Sequence, residues 1–178
     1  MAPARDARIL DVGAGASTLV DGLLITGYRQ LTVLDLSRAA LQQAQRRLGA
    51  LAARVEWHEA DVLTASLAAS GFDVWHDRAV FHFLTEAADR VRYVEQVRRA
   101  VHPDGIVLVA TFADDGPRRC SGLDVRGYSP DALHSEFGTD FRLIESRREE
   151  HVTPHGTVQA FTYCACRYEP HERVRHAA

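Results

Sequence analysis

A glycine-rich turn after the first apolar run constrains the fold of this chain more than any other feature. Residues 9–17 read I-L-D-V-G-A-G-A-S, and Asp35 ends the next apolar run, L-T-V-L-D. Glycine lacks a Cβ and tolerates positive φ, so the backbone of the turn can approach a ligand closely. A carboxylate about 20 residues further on can bind two hydroxyls of a ribose. Together these segments predict an α/β protein that binds an adenosine-containing ligand.

The position of Asp11 distinguishes between the ligands that such a turn can bind. Asp11 precedes Gly13 and Gly15, and Thr18 stands where the dinucleotide fingerprint G-x-G-x-x-G needs a third glycine. A carboxylate beside the turn repels a diphosphate and attracts an ammonium group. The sequence therefore favours a cofactor with a charged amino group, and a nicotinamide dehydrogenase is the less favoured alternative.

Five segments resemble, in order and spacing, the motifs of the class I S-adenosylmethionine-dependent methyltransferases. They are the turn at 11–17, the acid at Asp35, E-A-D-V at 59–62, F-D-V-W-H-D-R-A-V-F-H-F-L at 72–84, and H-P-D-G-I-V-L-V-A at 102–110. The resemblance implies that S-adenosylmethionine is the cofactor and S-adenosylhomocysteine the product. The chain departs from the family pattern at Ser17, which replaces the last glycine of the turn.

The resemblance also implies a role for individual residues. Asp35 looks like the ribose-binding acid, and Leu36 looks like a residue that packs against adenine. Asp61 looks like the acid that receives the adenine amino group, with Val62 against the ring. The residues implied in cofactor binding are Asp11, Gly13, Gly15, Ser17, Asp35, Leu36, Asp61, Val62 and His76.

The catalytic candidates follow the fourth strand, where the family's loop faces the methyl group. Methyl transfer needs an aligned acceptor and, for a protonated acceptor, removal of a proton. With residues 78–84 helical, Arg78 and His82 would share a face, and His82 is the candidate base because imidazole is available in its neutral form near pH 7. Asp77 either contacts the cofactor or acceptor, or caps the helix that follows.

Strands and helices are predicted to alternate along the first two thirds of the chain. Apolar or β-branched runs predict strands near residues 7–12, 31–35, 54–59, 72–76 and 105–112. Helices are predicted between them, with Ser17 or Thr18 as the first cap and Ser37 to Gly49 as the second helix. The third is predicted from Thr85 to Val101, stopped by Pro103.

The last third of the chain predicts a different arrangement. A short helix from Ser129 to Phe137 precedes two strands joined by a tight turn at 154–156, which indicates an antiparallel hairpin. Together with the resemblance, this predicts a three-layer Rossmann-like methyltransferase fold with a mostly parallel seven-stranded sheet that ends in an antiparallel hairpin. We expect a single methyltransferase domain over 1–168 and a polar tail over 169–178.

Composition limits the partners. The net charge of −3 argues against nucleic acid, whose binding normally requires a basic face. No stretch has the ~20 apolar residues that cross a bilayer, and the N-terminus lacks the apolar core of a signal peptide. We therefore expect a cytoplasmic protein with no membrane partner. Because the first strand starts close to the N-terminus, a homodimer is a possible cover for the open side of the site.

The sequence contains two sets of potential metal-ligating side chains, and neither pattern predicts a metal site. Cys164 and Cys166 share one face of a strand, but with Cys120 they lack the second ligand pair of a structural zinc site, so small buried side chains are favoured. His151 and His155 flank a turn without tight ligand spacing. Three cysteines in a chain of this size also indicate a reducing compartment.

The favoured function is methyl transfer to a small molecule, because the compact chain has no inserted recognition domain. One alternative is a protein lysine methyltransferase, since D-R-A-V-F-H-F-L occupies the place where some small lysine methyltransferases carry their acceptor motif. The other is a non-catalytic cofactor-binding or regulatory subunit, suggested by Ser17 and the short N-terminus. The Asn/Asp-Pro-Pro-Tyr/Phe pattern of base-modifying members is absent, which argues against nucleic-acid amino groups.

Overall fold

The computed structural model describes residues 3–152, 156 and 158–171. Its main sheet contains seven strands: β1 (Arg8–Val12), β2 (Gln30–Asp35), β3 (Val55–Glu59), β4 (Phe72–Arg78), β5 (Val101–Phe112), β8 (Phe141–Val152) and β9 (Val158–Tyr168). The helices are α1 (Leu19–Ile25), α2 (Arg38–Leu48), α3 (Ala87–Ala100) and α4 (Pro130–Phe137). A small hairpin, β6 (Arg119–Cys120) and β7 (Leu123–Asp124), lies between β5 and α4.

The sheet order is β3-β2-β1-β4-β5-β9-β8. Strand β9 is antiparallel to both of its neighbours, β5 and β8, and the other neighbouring strands are parallel. The predicted mostly parallel sheet with an antiparallel end is confirmed. The chain crosses from one edge to the centre after β3, so the carboxyl ends of β1 and β4 become neighbours there. Ligands of open parallel sheets bind at such a point.

The predicted caps of the second helix are confirmed. At the start of α1 the cap position is Thr18, whose side chain makes no capping hydrogen bond, and the hydroxyl of Ser17 accepts a hydrogen bond from the Leu19 amide. The Ser37 hydroxyl accepts from the Ala40 amide at the start of α2, which ends at Gly49 with φ of 56°. A side-chain acceptor satisfies an amide that has no partner in the first helical turn, and glycine adopts positive φ without strain.

The predicted third helix is confirmed, and it ends before Pro103. Helix α3 ends at Ala100, and β5 already begins at Val101. The pairing of β4 with β5 shifts between Phe72 and Val74, so Pro103 lies in an irregular part of the ladder. A proline has no amide to donate and is tolerated at such a bulge, which is why it interrupts neither strand.

The predicted helix over 78–84 was wrong. Arg78 is the last residue of β4, and only Phe81–Phe83 form a short 3-10 helix. The Asp77 carboxylate accepts hydrogen bonds from the amides of Val80 and Phe81, at 2.8 and 3.1 Å. Ala79, which precedes Val80, has φ of 73°, outside the right-handed helical region. Arg78 and His82 therefore do not share a helical face.

Two predictions fall wholly or partly outside the described residues. The tight turn at 154–156 includes Pro154 and His155, which are not described, although the two strands on either side form the predicted hairpin. The polar tail over 169–178 is described only to His171. Among the helices of the described part of the chain, none is long and apolar enough to cross a membrane.

A buried hydrogen-bonded chain fixes α3 against the sheet. The Trp75 indole donates to the Tyr93 hydroxyl at 2.8 Å, and that hydroxyl donates to Asp77 at 2.6 Å. All three side chains are completely buried among the apolar residues between the sheet and α3. Buried polar groups of this kind are expensive unless each one is paired.

We predict that Tyr93→Phe destabilises the chain by roughly 1–3 kcal/mol, because the Trp75 donor and one Asp77 oxygen each lose a partner. Urea unfolding followed by tryptophan fluorescence measures this change. The matched control is Tyr28→Phe, whose hydroxyl donates only to the Pro3 carbonyl, at 3.1 Å at the periphery. Equal destabilisation by both variants would contradict the importance of the buried chain.

Candidate functional site

The glycine turn follows β1 and crosses in front of the neighbouring strands. Gly13 and Gly15 have φ of 63° and 54°, values that residues with a side chain rarely adopt. The Gly13 amide donates to the Leu34 carbonyl at 2.7 Å, which anchors the turn to β2. A Cβ on Gly13 would lie 1.8 Å from Cγ2 of Val80. The turn and the loop after β4 are therefore in direct contact.

Asp35 connects the turn to the start of α2. One carboxylate oxygen accepts from the Gly15 amide and the other from the Ser37 amide, both at 2.7 Å. These bonds fix the orientation of the carboxylate at the end of β2. Because a carboxylate oxygen has more than one lone pair, Asp35 retains acceptor capacity for ligand hydroxyls.

The first cavity, of about 340 Å³, lies between the glycine turn, the ends of β2 and β3, and the loop after β4. Asp35 and Asp61 contribute carboxylates, and Leu36, with 71% of its surface exposed, contributes an apolar wall. Five predicted cofactor-binding residues line this cavity: Gly13, Asp35, Leu36, Asp61 and Val62. Two acids and an apolar wall form a cavity suited to a sugar and a flat heterocycle.

The second cavity, of about 390 Å³, lies on the other side of Gly13 and Ala79, which line both cavities. Besides Gly13, four candidate site residues line it: Asp11, Ser17, His76 and Arg78. Residues from the distant hairpin, His151, Gln159 and Phe161, close its far side. The structure thus brings the cofactor-binding candidates to two adjacent cavities, with Gly15 behind them as a donor to Asp35.

Asp11 and His76 form a pair at the wall of the second cavity. Nδ1 of His76 lies 2.8 Å from Oδ1 of Asp11, across the parallel pairing of β1 with β4. The Asp11 side chain is 6% exposed and that of His76 is 23% exposed. The second Asp11 oxygen, Oδ2, is buried and has no hydrogen-bond partner among the described residues. A buried acceptor without a partner is costly, so this oxygen marks a place for a donor from a ligand.

Asp77 lies beside this site but faces away from both cavities. Its carboxylate is fully buried and accepts from two amides and the Tyr93 hydroxyl. Burial raises the pKa of Asp77 to about 6, against the opposing effect of those hydrogen bonds. The predicted capping role is seen at the 3-10 turn, and the predicted contact with cofactor or acceptor stays a prediction.

His82 is also fully buried and lines neither cavity. Its ring stacks on Phe112 with centroids 4.6 Å apart, and Nδ1 accepts a long hydrogen bond of 3.4 Å from the Phe112 amide. Burial lowers the pKa of His82 to about 4, so the ring is neutral near pH 7. The base role for His82 stays a prediction, and the geometry gives it no surface from which to reach an acceptor.

Arg78 extends from the end of β4 into the second cavity. It is exposed, and no carboxylate among the described residues forms a salt bridge with it. A guanidinium in that position has its donors available for an anionic group. Cys120 and Arg119 lie in the small hairpin and line neither of the two cavities, and Arg119 pairs with Asp124.

The metal-ligating candidates do not converge within the described part of the chain. Cys164 and Cys166 are buried with their sulfurs 3.4 Å apart, whereas Cys120 lies in β6. Within the described residues, no three His, Cys, Asp or Glu side chains are grouped to hold a metal ion. His155 lies outside those residues.

Sequence reasoning missed Leu123, Gln159 and the pairing of Asp11 with His76. Leu123 is 61% exposed in the small hairpin and lines the first cavity. Gln159 reaches the second cavity from β9. No motif marks either residue, because each comes to the site from a distant part of the chain. For the pair, both residues were singled out, but only the register between β1 and β4 shows that they meet.

Comparisons with known proteins agree with this architecture. A family model described as "Methyltransferase domain" matches residues 9–105. An uncharacterized methyltransferase of Mycobacterium bovis is 30% identical over 116 residues, which is 63% of this chain and 54% of that protein. The chain therefore spans about half the length of this curated relative.

Two solved structures show the same fold. One is a S-adenosylmethionine-dependent methyltransferase from Methanosarcina mazei, with a TM-score of 0.80, 17% identity and 95% coverage of both chains. The other is the 1,6-didemethyltoxoflavin-N1-methyltransferase of Burkholderia thailandensis, with its substrate and S-adenosylhomocysteine bound. That structure has a TM-score of 0.69 and 23% identity, covering 93% of this chain and 72% of its own. The predicted Rossmann-like methyltransferase fold is confirmed.

We predict that Gly13→Ala destabilises the chain by at least roughly 2 kcal/mol, because it combines positive φ with a collision against Val80. The matched control is Gly22→Ala in α1, where a Cβ meets nothing within 4 Å and alanine is expected to stabilise the helix by roughly 0.5–1 kcal/mol. Thermal unfolding of both variants measures the difference. Similar melting temperatures would contradict the close contact between turn and loop.

We also predict that buried His82 contributes stability that depends on pH. The pKa of its ring is about 4 in the folded chain against an ordinary 6.5, so its contribution is present above pH 6.5 and is lost as the pH falls toward 4. The destabilisation by His82→Phe should therefore shrink by about 2 kcal/mol between pH 7 and pH 5.

Comparison of wild type with the variant at each pH cancels the opposite contribution of Asp77, whose pKa is raised to about 6. The control is Phe137→Leu, a change in the same core that removes no titratable group. Urea unfolding at the two pH values measures both costs. A His82→Phe cost that is equal at pH 7 and pH 5 would contradict the shifted pKa.

Proposed function

This chain belongs to the methyltransferase-domain family, and on that premise we propose that it transfers a methyl group from S-adenosylmethionine to a small-molecule acceptor. The observation that carries the proposal is the buried Oδ2 of Asp11 at the glycine turn, which has no hydrogen-bond partner among the described residues. Asp11 lines the second cavity, which adjoins the first cavity with its two carboxylates and apolar wall. This arrangement suits a ligand with an ammonium group at one end and an adenosine at the other.

On the adenosine side, we assign the ribose hydroxyls to Asp35 and the adenine amino group to Asp61. The Asp61 carboxylate is oriented by a hydrogen bond of 2.9 Å from the Leu63 amide. Leu36 and Val62 provide apolar surface for the two faces of the ring, and Phe83 and Leu123 line the same cavity. Burial of an aromatic heterocycle between such side chains contributes affinity through its apolar area.

On the amino-acid side, Asp11 accepts from the ammonium group and Arg78 donates to the carboxylate. Ser17, in place of the usual glycine, already accepts the Leu19 amide, so its side chain points along the start of α1 and leaves the turn open. Opposite charges at the two ends of an amino-acid group fix its orientation, because the reverse placement is repelled at both ends.

S-adenosylmethionine supplies an electrophilic methyl group on a sulfonium. The residues of this chain need to align the acceptor nucleophile with that methyl and to exclude water. The second cavity has the volume of a small-molecule site and is lined on one side by the hairpin residues His151, Gln159 and Phe161. A cavity of this volume favours a small acceptor over a segment of a folded protein.

Two further expectations belong to the proposal. We propose that residues 1–168 form a single methyltransferase domain, and that a second copy of the chain covers the side of the sheet on which His76 and Leu108 lie. Leu108 is 38% exposed and lines a cavity on that side. A sedimentation measurement of the full chain with and without S-adenosylhomocysteine distinguishes monomer from dimer.

The cofactor assignment predicts the effect of Leu36→Ala. Loss of the apolar wall should weaken S-adenosylhomocysteine binding about tenfold, which is roughly 1–2 kcal/mol of apolar contact. The matched control is Ile25→Ala, another highly exposed aliphatic side chain, at 82%, that lines neither cavity. Calorimetric titration of wild type and both variants measures the affinities, with NAD as the competing ligand.

Binding of NAD in preference to S-adenosylhomocysteine would overturn the cofactor assignment and favour a dehydrogenase. If the cofactor binds, methyl transfer from radiolabelled S-adenosylmethionine is measured into the small-molecule and protein fractions of a cell extract. Label in small molecules supports the proposal, and label confined to protein favours the lysine alternative. Cofactor binding with no transfer into either fraction favours a non-catalytic subunit.

A further inference from the structure

The carboxylate of Asp11 has two oxygens with different surroundings. Oδ1 is 2.8 Å from Nδ1 of His76, and Oδ2 is buried without a partner among the described residues. Asp11 is 4% exposed, so water does not screen either oxygen well. A cation that binds at one oxygen therefore changes what the other oxygen can stabilise.

The pairing with Asp11 also fixes the form of the neutral His76 ring. A carboxylate only accepts hydrogen bonds, so Nδ1 must carry the hydrogen. Neutral His76 then has its lone pair on Nε2, for which the described residues provide no hydrogen-bond partner. His76 lines the second cavity. It also lines another cavity, of about 230 Å³, whose walls come from β4, β5, β8 and β9. A nitrogen lone pair at a cavity can accept a proton from a bound molecule.

His82 differs in both respects. Its Nδ1 accepts the Phe112 amide, so the lone pair is already used and Nε2 carries the hydrogen in the neutral ring. The side chain has no exposed surface. Of these two histidines, only His76 combines an available lone pair with a cavity.

We propose that His76 is the catalytic residue that accepts the proton of the methyl acceptor, and that binding of the cofactor ammonium to Asp11 releases the proton that His76 would otherwise hold. This inference rests on the proposed function. An imidazolium and an ammonium compete for one buried carboxylate, because each positive charge is disfavoured by the other at this distance. The cofactor therefore converts His76 to the neutral form that the reaction requires.

In the reaction, the acceptor nucleophile forms a bond to the methyl carbon as the bond from that carbon to sulfur breaks. The electron pair of the broken bond stays on sulfur, which leaves S-adenosylhomocysteine. The proton of the acceptor moves to Nε2 of His76, and the imidazolium that forms is stabilised by Asp11 across the 2.8 Å hydrogen bond. When the product leaves, His76 can return the proton to solvent.

Other titratable and charged groups share the cavities with His76 or adjoin it. They are Asp11 from β1, Asp77 and Arg78 from β4, Glu145, Arg147 and His151 from β8, and Tyr163 and Cys164 from β9. Asp77 titrates in the same range as the test, since burial raises its pKa to about 6. His151 is the other histidine on the second cavity. The experiment must therefore assign any released proton to one residue.

The test is calorimetric titration of the full chain with S-adenosylhomocysteine at about pH 6, in two buffers of different ionisation enthalpy. The α-amino group of the ligand stays charged there, because its neighbouring carboxylate holds its pKa above that of a peptide α-amino group, about 7.7–8.0. We expect the wild-type enthalpy to depend on the buffer, as a released proton requires. The affinity should rise with pH between about 5.5 and 7, by no more than tenfold per unit.

Variants identify the residue that releases the proton. His76→Gln keeps a donor for Asp11 but cannot titrate, so its enthalpy should not depend on the buffer. The matched control is His58→Gln, which removes a histidine that also lies 2.8 Å from a carboxylate, that of Glu56, but is outside both cavities. His58→Gln should behave like wild type. Methylthioadenosine, which lacks the ammonium, should bind to wild type without proton release.

A second measurement observes the protonation change in wild type and uses a variant only to assign the signal. Carbon chemical shifts of the imidazole rings, recorded with and without S-adenosylhomocysteine at about pH 6, report ring protonation directly. One ring should change from charged to neutral on binding, and the signal missing in His76→Gln identifies it.

The outcomes distinguish a failure of the proposed function from a failure of this inference alone. If S-adenosylhomocysteine does not bind wild type, the proposed function and this inference both fail. Binding with a buffer-independent enthalpy overturns the inference alone. Proton release that persists in His76→Gln, that is lost only in His151→Gln, or that methylthioadenosine also causes, likewise overturns it and leaves the cofactor assignment intact.

Discussion

The buried carboxylate of Asp77 determines how the chain leaves β4, and the geometry of the site depends on that exit. It accepts the Val80 and Phe81 amides and the Tyr93 hydroxyl, so it joins strand, turn and α3 at one point. The left-handed Ala79 and the short 3-10 helix follow from these bonds. They place Val80 against Gly13, which forms the boundary between the two cavities. Desolvation raises the pKa of this carboxyl, a cost that its three hydrogen bonds partly offset.

The acids of the site differ in their surroundings. Asp35 and Asp61 are oriented by backbone amides at the ends of β2 and β3, and they face an open cavity. Asp11 lies deeper and is bonded to a side chain that can itself carry a proton. An exposed acid that is already oriented can bind hydroxyls without changing its charge. A buried acid that two cations can share couples ligand binding to protonation instead.

The order of the elements and the position of several candidate residues could be predicted because they depend on local sequence. The turn needs glycine at positive φ, and an acid that ends a buried strand lies at the edge where ligands bind. Gly13 and Asp35 follow from these rules and Asp61 from the resemblance to the methyltransferases, and all three line the first cavity. Their contact with the cofactor stays a prediction. The start of the second helix at Ser37 and of the short helix at Ser129 followed from equally local rules, and both hydroxyls accept an amide of the first helical turn.

The helix expected over 78–84 does not form, because tertiary contacts override local preference. It is compatible with the residue pattern, but Asp77 satisfies the amides that would have started it, and the turn packs on Gly13. Pro103 lies three residues after the end of α3, at a bulge between β4 and β5 that only the register of the sheet determines. A local pattern contains neither the partner of a buried carboxylate nor the register of a ladder.

The sequence by itself determined the alternation of strands and helices, the glycine turn, and the acids at the strand ends. Only the tertiary structure decided that His76, and not His82, lies on the cavity with its neutral lone pair available. Asp11 and His76 are 65 residues apart and meet because β1 and β4 pair in register, whereas His82 is buried under Phe112. The periodicity of a strand determines which side chains share its face, but its neighbour and its depth depend on how the whole sheet packs.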